Sequence, residues 1–204
     1  MNLRERKKSR TRETISNTAI DLFFVHGYAE VSITQIAEAA EVSRRTLFTY
    51  FPAKEDLVVH RFADHETEAA RVVRGGQARP LAALRAHFLE ALRDRDPITG
   101  LSDRQEVLEL YRLVRETPAL MNRMLAFNES GERALADALR EKVEVTPLVA
   151  SLAAAQIAAV RWRLALTNNA RVSAGSTADE AYPVAVDEAE QGFQLLAEGL
   201  EAVL

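Results

Sequence analysis

The sequence of 204 residues contains no cysteine, which excludes disulfide bonds, thiolate metal sites and cysteine nucleophiles. Histidine is scarce: there are four, and no two of them stand four positions apart, as a helical metal-binding motif requires. Glycine-rich phosphate loops, nucleophile elbows and paired-carboxylate motifs are also missing. The sequence therefore predicts neither an enzyme nor a metal or cofactor site.

Long apolar runs are missing as well, since none approaches the ~20 residues that a membrane-spanning helix needs. The N-terminus is charged and has no apolar stretch of the signal-peptide type. Hydrophobic residues still make up 48% of the chain, which is enough for a packed core. We therefore predict a cytoplasmic protein with no membrane association.

The charge is distributed unevenly along the chain. The overall net charge of −4 argues against a nucleic-acid partner, but residues 1–12 carry six basic side chains and one acidic one. Residues 1–61 have a net charge of +2 and residues 62–204 a net charge of −6. Such asymmetry is typical of a basic DNA-facing part attached to an acidic body.

Apolar residues recur with helical periodicity along the chain, and no stretch shows the alternation typical of strands. This pattern predicts an all-α fold of about nine helices. The first helix should end at Gly27, and two short helices should follow at about 32–40 and 43–50. The other helices are predicted at about 52–75, 80–93, 102–116, 117–142, 147–169 and 182–204.

The two short helices are marked by their capping residues. Ser32 and Gln35 form a capping box at the start of the first, and Ser43 caps the second. Ala37 is small enough for the helices to cross closely, and Leu47 supplies an apolar contact between them. Two helices joined by such a short turn form a helix-turn-helix, whose second helix enters the major groove of DNA.

Arg44 and Arg45 fall in the first turn of the second helix, where the helix dipole is positive. Cations in this position are unfavourable by about 0.3–1 kcal/mol each. DNA would supply the missing anion, because arginine binds guanine O6 and N7, or a phosphate. The alternative is a solvated surface pair without a partner.

Further DNA contacts are predicted around this helix. The residues are Thr46, Thr49 and Tyr50 on its outward side, Thr34 at the start of the preceding helix, Lys54 at the start of the following one, and the basic tail. Thr34 and Lys54 suit phosphate contacts, and the tail suits phosphate or minor-groove contacts, as the arms of related motifs do. Packing of Tyr50 against Phe51 or the first helix is an equally good interpretation.

Residues 31–57, VSITQIAEAAEVSRRTLFTYFPAKEDL, resemble the signature of TetR-type repressors, and Leu22-Phe23 followed by Gly27-Tyr28 resembles the preceding helix end of that family. The resemblance implies DNA contacts from Thr34, Arg44, Arg45, Thr46, Tyr50 and Lys54. It also implies a C-terminal region that binds a ligand and dimerises. We therefore predict a three-helix DNA-binding domain at 1–53 and a ligand-binding and dimerisation domain at 54–204.

Two positions depart from the family pattern. Glu41 stands in the turn where glycine is common; if its backbone is left-handed, it costs roughly 1 kcal/mol and brings a carboxylate close to DNA. Phe48 stands where tyrosine is usual, and therefore lacks a hydroxyl that could reach phosphate.

The last two predicted helices each carry a heptad-like apolar stripe, which suits near-parallel helix packing. The stripes are Leu148, Leu152, Ala155, Ala159, Trp162 and Leu166, and Val186, Ala189, Phe193, Leu196, Leu200 and Val203. Doubled by a two-fold axis, the pair would form a four-helix homodimer interface, as the resemblance also implies. The alternative is that both stripes are monomer core.

Six large side chains on helices that would surround a central cavity are candidates for a hydrophobic ligand pocket: Phe88, Tyr111, Met121, Met124, Phe127 and Trp162. Each of them is also a natural core residue. The sequence thus predicts a repressor that a small hydrophobic effector releases from a palindromic DNA operator. The alternative is a helical-bundle interaction module without specific DNA binding.

Overall fold

The computed structural model of the chain describes residues 3–200. Over that range it contains ten α-helices, two 3₁₀ segments and no strand, which confirms the predicted all-α fold. The helices are α1 (Leu3–His26), α2 (Ile33–Ala39), α3 (Arg44–Tyr50), α4 (Asp56–Val59), α5 (Glu68–Gly75), α6 (Pro80–Arg93), α7 (Gln105–Glu116), α8 (Pro118–Lys142), α9 (Pro147–Ser173) and α10 (Ala178–Leu200). The 3₁₀ segments are His60–His65 and Pro97–Thr99.

The fourth predicted helix is divided in two. His60–His65 adopts 3₁₀ geometry between α4 and α5, so the described range holds one helix more than expected. The basic tail, which we predicted to precede the first helix as an arm, is instead part of it, because α1 begins at Leu3. Lysine, arginine and glutamate are good helix formers, and the Ser9 hydroxyl donates to Glu13 one turn later, at 2.9 Å.

The last helix begins earlier than its apolar pattern predicts. Thr177 and Glu180 form a capping box, in which Thr177 N donates to Glu180 Oε2 at 2.9 Å and Glu180 N donates to Thr177 Oγ1 at 3.2 Å. This capping box can be recognised from the sequence, and it places the start of the helix at Ala178. Residues 201–204, including Val203 of the predicted stripe, lie outside the described residues.

The chain forms two compact units. The first comprises residues up to Ala63 together with Arg112–Leu125. Its buried side chains include Ile15, Phe23, Ile36, Leu47 and Leu57. The Ser16 hydroxyl donates to the carbonyl of Leu57 at 2.6 Å, which ties α1 to α4.

The second unit comprises Asp64–Tyr111 together with the described residues from Ala126 onward. Its core is an apolar cluster on α5, α6, α8, α9 and α10, in which Phe88 and Phe193 lie with ring centroids 6.0 Å apart. These structural units do not test the predicted boundary near residue 53 between a DNA-binding domain and a ligand-binding domain, which stays a prediction.

Gly131 interrupts the run of helix-favouring residues in α8, where it costs about 1 kcal/mol relative to alanine. The structure explains its presence, because a β-carbon at this position would lie 2.6 Å from the carbonyl oxygen of Glu66. The glycine therefore permits a close approach of two backbone segments, and α8 runs as one helix from Pro118 to Lys142.

By length and composition alone, α9 would be long and apolar enough to cross a membrane. The prediction that no apolar run of the sequence approaches this length is therefore wrong by this criterion. Ala150, Ile157 and Leu164 of this helix belong to the core of the second unit, and Asn168 is buried with its amide donating to the carbonyl of Thr99 at 2.9 Å. Core helices of helical bundles satisfy the same criterion.

Candidate nucleic-acid interface

The capping box of α2 forms as predicted. The Ser32 hydroxyl accepts a hydrogen bond from Gln35 N at 3.2 Å, while the Gln35 side chain accepts one from Ser32 N at 2.8 Å. Ile36 and Ala37 of this helix are buried. Thr34 lies on the exposed side of α2.

The turn after α2 contains a non-glycine residue in a left-handed conformation. Glu41 has φ of 54°, a region that L-residues other than asparagine and aspartate rarely adopt. Two backbone hydrogen bonds close the turn, from Glu41 N to the carbonyl of Glu38 at 3.1 Å and from Val42 N to that of Ala37 at 2.9 Å. Glu41 therefore has the left-handed backbone that glycine would adopt at this position without strain.

The second short helix, α3, is anchored on one side and free on the other. Ser43 Oγ accepts a hydrogen bond from Thr46 N at 3.0 Å, and Leu47 is fully buried. Arg44 and Arg45 are both exposed. Within residues 3–200 neither guanidinium takes part in a hydrogen bond or an ion pair that would neutralise it, so two unpaired cations stand in the first turn of this helix.

The two threonines of α3 use their hydroxyl groups within the helix. Thr46 Oγ1 shares a hydrogen bond with Ser43 Oγ at 2.7 Å, and Thr49 Oγ1 donates to the carbonyl of Arg45 at 2.9 Å. The exposed Thr49 therefore has no free hydroxyl proton to donate and offers its methyl group and the hydroxyl lone pairs to a partner. Tyr50 is half-buried at the end of the helix.

The side chain of Lys54, which we predicted to contact a phosphate, already has contacts within the protein. Its ammonium group donates to the carbonyl of Tyr28 and lies 4.2 Å from the Tyr28 ring centroid and 5.3 Å from that of Phe23. Burial lowers the pKa of Lys54. The Tyr28 hydroxyl in turn donates to Glu55 at 2.8 Å, and burial raises the pKa of Tyr28. Lys54 thus ties the loop after α1 to the start of α4, and a phosphate contact by it stays a prediction.

Arg12 has a role in this region that was not predicted from the sequence, where it was counted only as part of the basic tail. Its guanidinium donates to the carbonyl of Tyr50 at 3.2 Å and lies 5.7 Å from the ring centroid of Phe51. Arg12 therefore holds the C-terminal end of α3 against α1. The partners are 38 positions apart, so no local pattern indicates this contact.

The candidate pocket residues are distributed between the two units. Met121 and Met124 belong to the first, where Met124 is buried, and the other four belong to the second. Phe88 packs on Phe193 in the core, and the buried Tyr111 donates its hydroxyl to the carbonyl of Pro97 at 2.8 Å. Phe127 and Trp162 are half-buried. A surface depression between α6 and α10 is lined by other residues, among them Arg85 and Tyr182.

The two apolar stripes behave differently. On α9, Leu148 and Leu152 are 69% and 53% exposed, although they stand in a stripe of apolar residues. On α10, the described members of the stripe from Ala189 to Leu200 are buried in the monomer core, so the core interpretation holds there. The opposite side of α10 exposes Val184 and Leu195 instead.

Taken together, two capped short helices, a tight turn and an exposed cationic second helix define a DNA-binding protein of the helix-turn-helix class. The family model for bacterial regulatory proteins of the tetR family matches residues 15–60. TcmR, an HTH-type transcriptional regulator of Streptomyces glaucescens, is 36% identical over 148 residues, which cover 70% of this chain and 66% of TcmR. The chain spans just under two thirds of that relative's length. The family model and this relative together identify the chain as a member of the TetR family of transcriptional regulators.

Solved structures of similar fold cover almost the whole chain. NalD, the secondary repressor of the MexAB-OprM multidrug efflux pump in Pseudomonas aeruginosa, aligns with a TM-score of 0.56 at 19% identity, over 90% of this chain and 96% of NalD. SmeT in complex with triclosan aligns with a TM-score of 0.53 at 15% identity, over 93% of this chain and 91% of SmeT. At these identities the likeness extends to the fold alone.

Proposed function

We propose that the protein is a transcriptional repressor that binds a palindromic operator as a homodimer and is released by a small hydrophobic ligand. The observation that carries this proposal is the pair Arg44 and Arg45, exposed and unpaired in the first turn of α3. A helix that faced only solvent would gain nothing from two cations at its positive end. A DNA major groove turns the same arrangement into a favourable one.

The DNA-binding domain in this proposal is residues 1–53, with α3 as the recognition helix. Arg44 and Arg45 read base edges, Thr46, Thr49 and Tyr50 complete the contact surface, and Thr34 contacts phosphate through its hydroxyl. The Lys54 ammonium donates one of its three N–H groups to Tyr28, and its remaining donors are the candidates for a phosphate contact. The basic residues along the first turns of α1 add sequence-independent attraction.

Dimerisation is proposed through α9 and α10, in the region 54–204. Exposed leucines on α9 and the apolar residues on the outer side of α10 form the contact, which a two-fold axis makes self-complementary. The two recognition helices then meet half-sites about 34–36 Å apart, or a multiple of that distance. A palindromic operator is the sequence counterpart of that symmetry.

Release by an effector is proposed as a shift between two populations of the dimer, in which the ligand binds the form with lower DNA affinity. The repressor NalD and the triclosan complex of SmeT support this part as proteins of similar fold. Phe127 and Trp162 are the candidate contacts that are not fully buried in the second unit. A cytoplasmic location follows from a role on DNA.

The test is selection from a random DNA pool by the full-length protein, followed by sequencing of the bound fraction. We expect a palindromic site to be enriched, and Arg44→Ala or Arg45→Ala to weaken binding to it by ~1–3 kcal/mol while affecting random DNA less. Absence of any enrichment at low salt would instead favour a helical-bundle interaction module. Equal losses on selected and random DNA would assign both arginines to phosphate contacts rather than base reading.

A further inference from the structure

Phe48 is an exposed aromatic residue in the middle of the proposed recognition helix. It is 44% exposed, and within the described range no aromatic ring packs against its side chain. Single exposed apolar side chains are common on protein surfaces, so exposure alone means little. The position of Phe48 is more informative, because it lies one turn after Arg44 and therefore beside it on the same side of α3.

The hydroxyl groups of the two threonines next to Phe48 are engaged within α3 and its N-terminal cap. Thr49 donates its one hydroxyl proton to the carbonyl of Arg45, and Thr46 is engaged with Ser43. Phe48 itself has no polar atom in its side chain. Between the two arginines and Tyr50, α3 therefore presents an aromatic ring and a threonine methyl group, and few free hydrogen-bond donors.

Only one base offers an apolar group in the major groove. Thymine carries its C5-methyl group there, whereas the other base edges present donors and acceptors of hydrogen bonds. An apolar side chain in the groove next to a guanidinium thus suits a thymine close to a guanine. This chemistry distinguishes Phe48 from a tyrosine, whose hydroxyl could take a phosphate oxygen.

We propose that Phe48 is a specificity-determining residue that reads the C5-methyl group of a thymine within one or two base pairs of the guanine contacted by Arg44. The proposal rests on the proposed DNA binding and adds the composition of the half-site to it. Thr49 supports the contact through its methyl group, and Phe48 makes it. The expected half-site therefore contains a guanine and a nearby thymine whose methyl group matters.

The test replaces each thymine of the selected operator, one position per half-site at a time, by deoxyuridine, which removes the C5-methyl group and nothing else. At one position we expect wild-type binding to weaken about fourfold per half-site, the equivalent of one buried methylene. Phe48→Ala should bind the unmodified operator more weakly and lose its sensitivity at that position alone. Phe48→Leu, which keeps an apolar side chain, should retain the sensitivity.

Val25→Ala is the matched control, because Val25 is an apolar residue of the same unit that is 74% exposed and lies outside α3. It should change neither the affinity nor the response to deoxyuridine, and thermal unfolding should show that all variants are folded. If no thymine responds, or if wild type and Phe48→Ala respond alike, the methyl reading is wrong while DNA binding stands. If the wild type selects no site, both proposals are wrong.

Discussion

Glu41 combines two unfavourable features at one position, a left-handed backbone and a carboxylate in the turn before the recognition helix. We expect Glu41→Gly to raise the free energy of unfolding by up to about 1 kcal/mol, because glycine adopts positive φ without the Cβ penalty. The greater chain entropy of glycine in the unfolded state offsets part of this gain. Denaturant unfolding at constant m-value measures the change.

Glu41→Ala separates the two features. It removes the charge but keeps Cβ, so its stability should stay near that of the wild type, while both variants should bind DNA more tightly at low salt because a negative charge is lost. A Glu41→Gly variant less stable than Glu41→Ala would contradict the backbone argument.

Individual residues also show how far the sequence can be interpreted. The caps Ser32 and Ser43 act on backbone groups within three positions, so their roles were predictable and are found as expected. Arg12 and Gly131 act on Tyr50 and on the carbonyl of Glu66, which are far away in the chain. Such contacts depend on tertiary packing, and a single sequence contains no local signal for them.

The recognition helix illustrates the same physics at the level of an element. With seven residues, α3 is too short to be stable by itself; it depends on its caps and on contacts at both ends. Arg12 supplies one of these, since it donates to the last helical carbonyl at Tyr50. Arg12 is thus a positioning residue for the side chains of α3 that we propose to read DNA, although it belongs to another helix.

We expect Arg12→Met to lower operator affinity about fivefold, equivalent to about 1 kcal/mol for one lost hydrogen bond, and to leave the salt dependence of binding nearly unchanged. The reason is that the Arg12 guanidinium faces Tyr50 rather than a phosphate. Binding measured at several salt concentrations gives both quantities.

Arg10→Met is the matched control on the same helix, because Arg10 is exposed. If Arg10 contacts a phosphate, its loss should reduce the salt slope by about one. A similar reduction with Arg12→Met would show that Arg12 also acts on the DNA backbone.

Among the helices, those with caps, glycine stops or a strong apolar period were predicted well, and α2, α3, α6 and α8 lie within a few residues of their expected positions. The 3₁₀ segment His60–His65 was not predicted, because no proline or glycine interrupts the pattern there. The basic start of α1 was mistaken for an arm, since a polar segment without an apolar side has no periodicity to show.

At the scale of the whole second unit, a charged cluster joins elements that are distant in the chain. His65 Nδ1 lies 3.2 Å from Glu68 Oε1, and Arg161 lies 3.3 Å from Glu68 Oε2. The other charged or titratable groups that face His65 or Glu68 are Asp64, His87 and Asp96. The hydrogen bond to Glu68 raises the pKa of His65 although burial opposes it. Burial alone would raise the pKa of Glu68, yet His65 and the other nearby positive groups lower it.

A raised pKa in the folded state means that protonated His65 stabilises the fold. This contribution is complete below the ordinary histidine pKa of about 6.5 and is lost as the pH rises through the folded-state value. We expect His65→Gln to lower the free energy of unfolding by about 1–2 kcal/mol at pH 5.5, with the difference from wild type shrinking by pH 8.5. Denaturant unfolding across this range measures it. A deficit for His65→Gln that stays constant across this pH range would contradict the charge argument.

The proposed recognition of a palindromic operator depends on a property of the whole molecule, the two-fold symmetry of its dimer. Leu152 is 53% exposed within the apolar stripe of α9, and Leu125, on α8 in the first unit, is 52% exposed. Exposure therefore cannot distinguish these two leucines, whereas a dimer interface on α9 and α10 would bury only the former. We expect Leu152→Glu to shift the protein to monomers in sedimentation experiments, because two carboxylates would have to be buried across the two-fold axis.

Leu125→Glu, the same substitution at matched exposure, should leave the dimer intact. Operator binding should follow the oligomeric state: the Leu152→Glu monomer reaches one half-site at a time and should lose at least tenfold in affinity for the full palindrome, while its affinity for an isolated half-site stays unchanged. If Leu152→Glu remains dimeric and binds the palindrome normally, the interface lies elsewhere on the molecule, and the exposed stripe of α9 needs a different partner.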